Sequence, residues 1–506
     1  MAEFRSPKSR KIKNTPQKTL QIDGDSLFKS AINCHLGGDL LNAEKFYREA
    51  INSGLSSSAV FSNLGIICQT NKHTKEAFVL YKKAIEIDPD HPDAYTNLGV
   101  LYKDLGNLDQ ALTSTLKSLE LKPDNSDAHI NLGGIYRDLG NLDQALASTL
   151  KSLELKPNNA AALMSLGGIY QDLGNLDQAL TSTLKSLELR PDSPDAHMNL
   201  GMIYEILNEL DSALESYSKS AKLIGQQNES SLTSLINTSA ILLQTNRIDN
   251  AKKTLSNALA ITLDKEIALK SVSIKNKKHN NAYLSYLSRL IPEIPHIKTI
   301  PEHQILHLGD SHCLAFTNQT IEFKGERCTI KPSLVKGAKA FHLSKESRRS
   351  QQKIGFEKRL RQNLDPYKYI FLSFGEIDCR EDEGILSYCR KSGKAIQDIS
   401  KSTAIRYFKW TANSLEKYKD KLVYFGTPAP FRIDPNRGKS SEISKHRLLA
   451  ITVFNNTLAT QCKESGAIFA NVYELTADKD GYNSNDWMID QFHLRPQALN
   501  DLIQNL

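Results

Sequence analysis

At 506 residues the chain is too long for one compact core, and its 40% hydrophobic and 24% charged residues are ordinary for globular protein, with no apolar run long enough to span a bilayer. The net charge of +7 is divided unevenly, a basic amino-terminal tail preceding an acidic block and a mildly basic remainder, so no partner nucleic acid is expected. Seven cysteines, none spaced C-x-x-C, fit neither a disulfide framework nor a metal site and predict a reducing, cytoplasmic setting.

Residues 1–23 carry Arg5, Lys8, Arg10, Lys11, Lys13 and Lys18 with no apolar run behind them. They read as a disordered, solvated tail and not as a secretory signal. From residue 24 to 265 the chain repeats itself. The run Asp104-Leu-Gly-Asn-Leu-Asp-Gln-Ala-Leu112 recurs at 138–146 and 172–180, a period of 34 residues. In step with it stand Leu98-Gly99, Leu132-Gly133, Leu166-Gly167 and Leu200-Gly201, then Tyr102, Tyr136, Tyr170 and Tyr204, then Ala111, Ala145, Ala179 and Ala213, with Pro123, Pro157 and Pro191 closing units. Glycine permits a close crossing of two helices, alanine leaves room for a neighbouring helix, and proline ends one.

These residues resemble the tetratricopeptide repeat, and the resemblance implies an α-solenoid of stacked antiparallel helix pairs. Seven units are expected, beginning near 24, 58, 92, 126, 160, 194 and 232. The sixth position of several units is Asn63, Asn97, Asn131 or Asn199, with Ser165 interrupting the series. The array of O-GlcNAc transferases, which these units resemble, carries asparagines there on its concave face, so the resemblance implies a groove that docks a protein or peptide partner through carboxamide donors and acceptors. The alternative is that these asparagines serve contacts between local helices. The carboxylate clamp of chaperone-binding relatives is absent, since Val100, Gly134, Gly168 and Met202 occupy the matching positions.

Residues 266–300 are expected to hold a capping helix, with Leu284, Tyr286, Leu287 and Leu290 on its apolar face, and a linker around Ile291-Pro-Glu-Ile-Pro295. From 301 to 506 the texture changes. Short apolar runs at Ile305–Leu308, Tyr369–Phe374, Leu422–Phe425 and Ile468–Val472 alternate with polar helical stretches, the pattern of a parallel sheet covered on both faces. Sites in such sheets lie at the carboxyl ends of strands. The first run ends in Gly309-Asp310-Ser311-His312, the second in Gly375-Glu376-Ile377-Asp378-Cys379-Arg380, and the chain closes with Asp490-Gln-Phe-His493 before a last helix.

The three blocks resemble the SGNH (GDSL-like) hydrolases, and the resemblance implies an α/β flavodoxin-like three-layer domain. It also implies roles: Ser311 as nucleophile, His493 as its base, and Asp490 holding the imidazole. Gly337 is the candidate for a backbone oxyanion donor. The third block of the family carries an Asn carboxamide as second donor where this chain has Ile377, a loss worth about 10² to 10³ in rate. Arg380 would replace that donor or else pair with Glu376, Asp378 or the acidic run beside it. The basic stretch from Lys345 to Arg361 reads as a solvated helix face able to steer an anionic substrate. No cofactor and no metal is implied. The expectation is a repeat-docked serine esterase or acyl transferase acting on a small-molecule or glycan ester; the alternative is a protein-interaction scaffold whose hydrolase-like domain only binds.

Overall fold

The computed structural model describes residues 23–224, 229–263, 274–295, 302–343, 350–381, 384–432, 440–484, 486–504 and 506. The expected basic tail, apart from Asp23, lies outside the described residues. The chain divides into two compact units, Met1–Asn131 and Leu132–Leu506. The division falls within the helix Ser126–Asp138, inside the repeats and not at the expected linker.

The first unit pairs Gly24–Leu36 with Leu40–Asn52, Ser58–Thr70 with Thr74–Ile87, and Pro92–Asp104 with Leu108–Leu121. Local chemistry starts and stops these helices. The Asp23 and Asp39 side chains accept the free N–H groups of Asp25 and Asn42, and Pro92 opens its helix where no N–H is needed. Gly106 turns the chain at φ 78°, a conformation glycine adopts without strain. Ala43, Tyr47, Leu64, Ala77, Tyr81 and Leu98 form the core between pairs.

In the second unit the pattern continues through Leu142–Leu155, Ala160–Asp172 with Leu176–Leu189, Pro194–Leu207 with Leu210–Ile224, and Glu229–Gln244 with Ile248–Leu263. A Cβ on Gly167 would meet the Thr183 hydroxyl, which shows why the repeat demands glycine where its helices cross. The helix Ile274–Leu290 follows, and a short 3-10 turn, Ile291–Glu293, ends it as the prolines predict. Leu284, Tyr286, Leu287 and Leu290 are buried, together with Ile291 and Ile294, against Leu255 and Ala258 on one side and Cys313, Leu314, Leu334 and Ile489 on the other. The segment expected to cap and link is thus core shared by the last repeats and the sheet domain.

The sheet domain has a mixed six-stranded sheet, built from β1 (His303–Gly309), β2 (Thr320–Phe323), β3 (Glu326–Leu334), β4 (Tyr367–Ser373), β5 (Leu422–Phe425) and β6 (Ile468–Ala470). Its order is β2-β3-β1-β4-β5-β6. All neighbours are parallel except β2, which returns on β3 through a Lys324-Gly325 turn with φ 51° and 77°. Counting only the parallel strands, the order is 2-1-3-4-5. The β2–β3 hairpin was absent from the apolar-run reading, because Glu322, Glu326, Arg327 and Lys331 interrupt it on the open side. Alternate residues divide the core: Leu306, Leu308, Ile370, Leu372 and Tyr424 pack on one layer of helices. Ile305, Ile330, Phe371, Val423 and Phe425 pack on the other. The connection after β1 runs toward β3 and the connection after β4 runs the other way, toward β5, so a crevice opens beyond the carboxyl ends of β1 and β4.

Candidate active site

Ser311 stands in that crevice because of its neighbours. A Cβ on Gly309 would collide with the Ser373 side chain, so glycine lets β1 approach β4 closely at its end. Asp310 donates its N–H to the Ser373 carbonyl at 3.2 Å and accepts the His312 N–H at 3.0 Å, capping the 3-10 turn Ser311–Phe316. The partner arrives from the other end of the domain. Asp490 accepts the backbone N–H groups of Phe492 and His493 at 2.7 and 2.8 Å, and the Ile489 N–H donates to the His493 carbonyl at 2.8 Å, closing a tight loop.

Within this frame Ser311 Oγ lies 2.8 Å from His493 Nε2, and His493 Nδ1 lies 2.9 and 3.0 Å from the two Asp490 oxygens. A carboxylate accepts only, so Nδ1 carries the proton and Nε2 is left to accept from the Ser311 hydroxyl. Burial works against the Asp490 charge, but the His493 hydrogen bond and charge and the two backbone donors outweigh it and hold its carboxyl down at about 2. For His493, burial lowers the pKa, Asp490 opposes, and the positive charges of His312 and Arg380 lower it further; the net direction is down. The imidazole is therefore neutral, and able to take a proton, at neutral pH.

Two contributors were not found by sequence reading. Tyr286 donates its hydroxyl to the Ser311 carbonyl at 2.9 Å and stacks its ring on the His493 imidazole, with centroids 3.7 Å apart and planes 19° from parallel. It had been placed on a capping face, and nothing in its neighbourhood of sequence points to residue 311. His312 lies between Asp310 Oδ1 and the Phe492 carbonyl, 2.7 Å from each, tying the serine turn to the histidine loop. Burial opposes its charge, yet Asp310 and the Phe492 carbonyl push its pKa up to about 9. The Asp-Ser-His order at residues 310–312 is the signal available for this residue. Beside the serine turn a cavity of about 20 Å³, lined by His307, Asp310 and Thr427 among others, is large enough for one water-sized group. His307 Nδ1, Asp310 Oδ2 and Thr427 Oγ1 have no hydrogen-bond partner among the described residues.

The other expected residues are engaged differently. Arg380 binds Glu376 through Nε at 3.1 and 2.9 Å and through Nη2 at 2.5 Å, and its guanidinium lies 4.4 Å over the Phe492 ring. This is the ion pair weighed against the oxyanion role. Asp378 is fully buried and accepts the N–H groups of Ala340 and Phe341 at 2.6 and 3.0 Å. Gly375, at φ 128°, lies against Phe454 and Thr427, where a Cβ would collide with the ring. Gly337 turns the loop after β3 at φ 67° on the side of Gln352, and no hydrogen bond among the described residues joins it to Ser311. The Ile377 backbone lies in a 3-10 turn, and its side chain is outside the described residues. Of the basic stretch, 344–349 lie outside the described residues, and Arg359, expected on a solvated face, is buried with Nη1 on the Gly355 carbonyl and Nη2 on that of Glu205. The repeat helix Pro194–Leu207, whose approach no local pattern announces, covers that face.

Of the asparagine series, Asn97 donates to Ser62 Oγ at 3.2 Å and Asn131 to the Thr96 carbonyl at 3.3 Å, each reaching back one repeat. Asn63 stands beside the Tyr47 hydroxyl, and Asn199 is half-buried. Asn97 and Asn131 thus tie neighbouring repeats. Cys68, His73 and Glu76 lie close enough to share a metal ion, but Arg48 donates to Glu76 at 2.7 Å and lies 3.8 Å from Cys68 Sγ, so a guanidinium already neutralises that group. No helix among the described residues is long and apolar enough to cross a membrane.

The tetratricopeptide repeat family matches residues 59–91, 80–113, 126–159 and 164–228. Residues 59–228 carry tetratricopeptide repeats. No curated protein matches the chain. Similar solved structures include a tetratricopeptide repeat protein from Parabacteroides merdae, 18% identical over 52% of this chain and 98% of that one, with a TM-score of 0.40. Another is pilF of Pseudomonas aeruginosa, 21% identical over 44% of this chain and 97% of that one, TM-score 0.33. A third is YrrB, described as a TPR protein with an unusual peptide-binding site, 23% identical over 37% of this chain and 95% of that one, TM-score 0.28.

Proposed function

We propose that this is a repeat-based protein-interaction molecule whose sheet domain carries out serine acyl transfer, as an esterase or O-acyltransferase on an ester-bearing small molecule or glycan. Tetratricopeptide repeats generally mediate contact between proteins, which supports the interaction half. The observation that carries the catalytic half is the chain of hydrogen bonds from Ser311 through His493 to Asp490. In this reading Ser311 Oγ attacks the ester carbonyl while His493 Nε2 takes its proton. Asp490 holds the tautomer and stabilises the imidazolium. The imidazolium then gives its proton to the departing alkoxide, leaving an acyl-serine that water or an acceptor hydroxyl resolves with His493 again as base. The likeness of the Gly309-Asp310-Ser311 and Asp490/His493 blocks to SGNH hydrolases, and the 2-1-3-4-5 order of a flavodoxin-like sheet, support the same reading.

The second reading is a scaffold whose sheet domain binds without catalysis. It is favoured by the family match of the repeats, by Ile377 in place of the usual Asn, by the commitment of Arg380 to Glu376, and by Tyr286 lying over His493. Exposure of the full chain to a fluorophosphonate probe separates the two. Catalysis predicts labelling that is lost in Ser311→Ala and in His493→Ala. Labelling that survives Ser311→Ala sinks the assignment of the nucleophile, and an unlabelled wild-type protein supports the scaffold.

A further inference from the structure

A larger cavity, of about 260 Å³, lies within the second unit, between helices of the later repeats and the end of β3 with the helix Gln351–Leu360. Its chemistry is unbalanced. Lys336 and Arg359 bring two cations to the wall, against one carboxylate, Glu205. Glu205 is already engaged, accepting the Tyr217 hydroxyl at 2.8 Å. Neither cation makes an ion pair with a carboxylate among the described residues. Lys336 Nζ donates to the Asn237 carboxamide and lies 5.4 Å over the Tyr283 ring. Arg359 donates to two backbone carbonyls, at 2.9 and 3.4 Å, and its buried Nε has no acceptor among the described residues. Surrounding protein holds the Lys336 ammonium below its usual pKa and Arg359 down at about 10, both through loss of hydration. Arg359 is buried while Lys336 stays open to solvent, and the Glu205 charge acts on both, so one carboxylate faces two cations and an entering anion would balance the second.

The remaining wall narrows the ligand further. Gln171 Oε1 has no donor among the described residues, and Gln352 also lines the space, so hydroxyl groups would find partners. Met202 and Leu334 leave part of the wall apolar, suited to a carbon skeleton. Since roughly 150 Å³ holds a benzene-sized ring, the volume exceeds what a bare oxyanion needs. We propose that this cavity binds a small organic anion, a carboxylate or phosphate on a hydroxylated skeleton about the size of a monosaccharide, with Lys336 and Arg359 holding the charge. The proposal is independent of whether Ser311 is a nucleophile.

Titration calorimetry on the full chain at constant ionic strength, with glucuronate, glucose 6-phosphate and glucose as probes, tests it. Saturable binding of one or both anions, with none of glucose, is the expected result, and the anion that binds more tightly tells whether the site prefers carboxylate or phosphate. Lys336 keeps open surface, so Lys336→Gln should fold, and it should weaken anion binding by about ten- to a hundred-fold, as expected for one charged hydrogen bond. Absence of binding by both anions, equal binding of glucose, or undiminished binding to Lys336→Gln would overturn the proposal.

Discussion

His312 shows how a single side chain shapes both the chemistry and the stability of the site. Its charge, held between Asp310 and the Phe492 carbonyl, fixes the serine turn to the histidine loop and helps to keep His493 neutral. The folded protein keeps the His312 proton up to about pH 9, whereas an unfolded histidine has lost it above 6.5. Between those values the native state binds more protons, so the contribution is fully present below 6.5 and is lost as pH rises through about 9. Asp378, pushed by burial up to about 7, titrates at the lower edge of this window. Urea midpoints for wild type and His312→Gln should therefore converge between pH 7 and 9.5, with on the order of 1–3 kcal/mol of wild-type advantage disappearing. A constant difference across that range would mean that His312 is neutral in the fold.

At the scale of the element, the repeat is governed by close approach at its glycines. Gly167 faces Thr183, whose hydroxyl is fully buried and has no hydrogen-bond partner among the described residues. Gly167→Ala should cost about 1–3 kcal/mol through overpacking, even though alanine is the better helix former. Pairing it with Thr183→Ala removes the obstructing oxygen and should restore most of the loss, because the next neighbours, the Ala179 carbonyl and the backbone nitrogen of residue 183, would stand 3.3 and 3.4 Å from the new Cβ. Thermal melts of the single and double variants read this out. Equal losses in both would show that the backbone crossing, and not the hydroxyl, sets the limit. The same close fit does not apply at Gly140, whose φ of 80° places a Cβ in open space, so only the left-handed conformation is at stake there.

For the whole molecule, the burial of Tyr286, Leu287, Leu290, Ile291 and Ile294 against Cys313, Leu314, Leu334 and Ile489 makes the last repeats and the sheet domain share one core. Each such aliphatic side chain stabilises the fold by about 1.5–3 kcal/mol when fully buried. A fragment ending at residue 295 exposes that face. It should keep a strong helical circular dichroism signal, since repeats contact only their neighbours, but bind an apolar dye and melt below the full chain. A fragment that melts as the full chain does, without dye binding, would show that the repeats close their own end. The same core brings Tyr286 onto His493, so the arrangement of the candidate site depends on the helix Ile274–Leu290 as well as on the sheet.

The helix pairs are written in the sequence because their determinants are local: the 34-residue period, the Gly-Ala-Pro positions and the capping Asp and Pro residues act within a turn or two of where they stand. Apolar runs likewise predict β1, β4, β5 and β6, whose alternate residues face two layers. Ser311, Asp490 and His493 were legible as motifs at strand end and chain end, but their meeting was not, for Ser311 and His493 are 182 residues apart and only the crossing of the chain at β1 and β4 brings them within a hydrogen bond. The same is true of Tyr286, of the burial of Arg359 and of the pairing of Arg380 with Glu376. The β2–β3 hairpin stayed hidden because its open face is charged and its register comes from a two-residue turn. Composition and period decide which segments can bury a face. Which face meets which, and therefore which polar groups lose their water and must find one another, is decided only when the tertiary core closes.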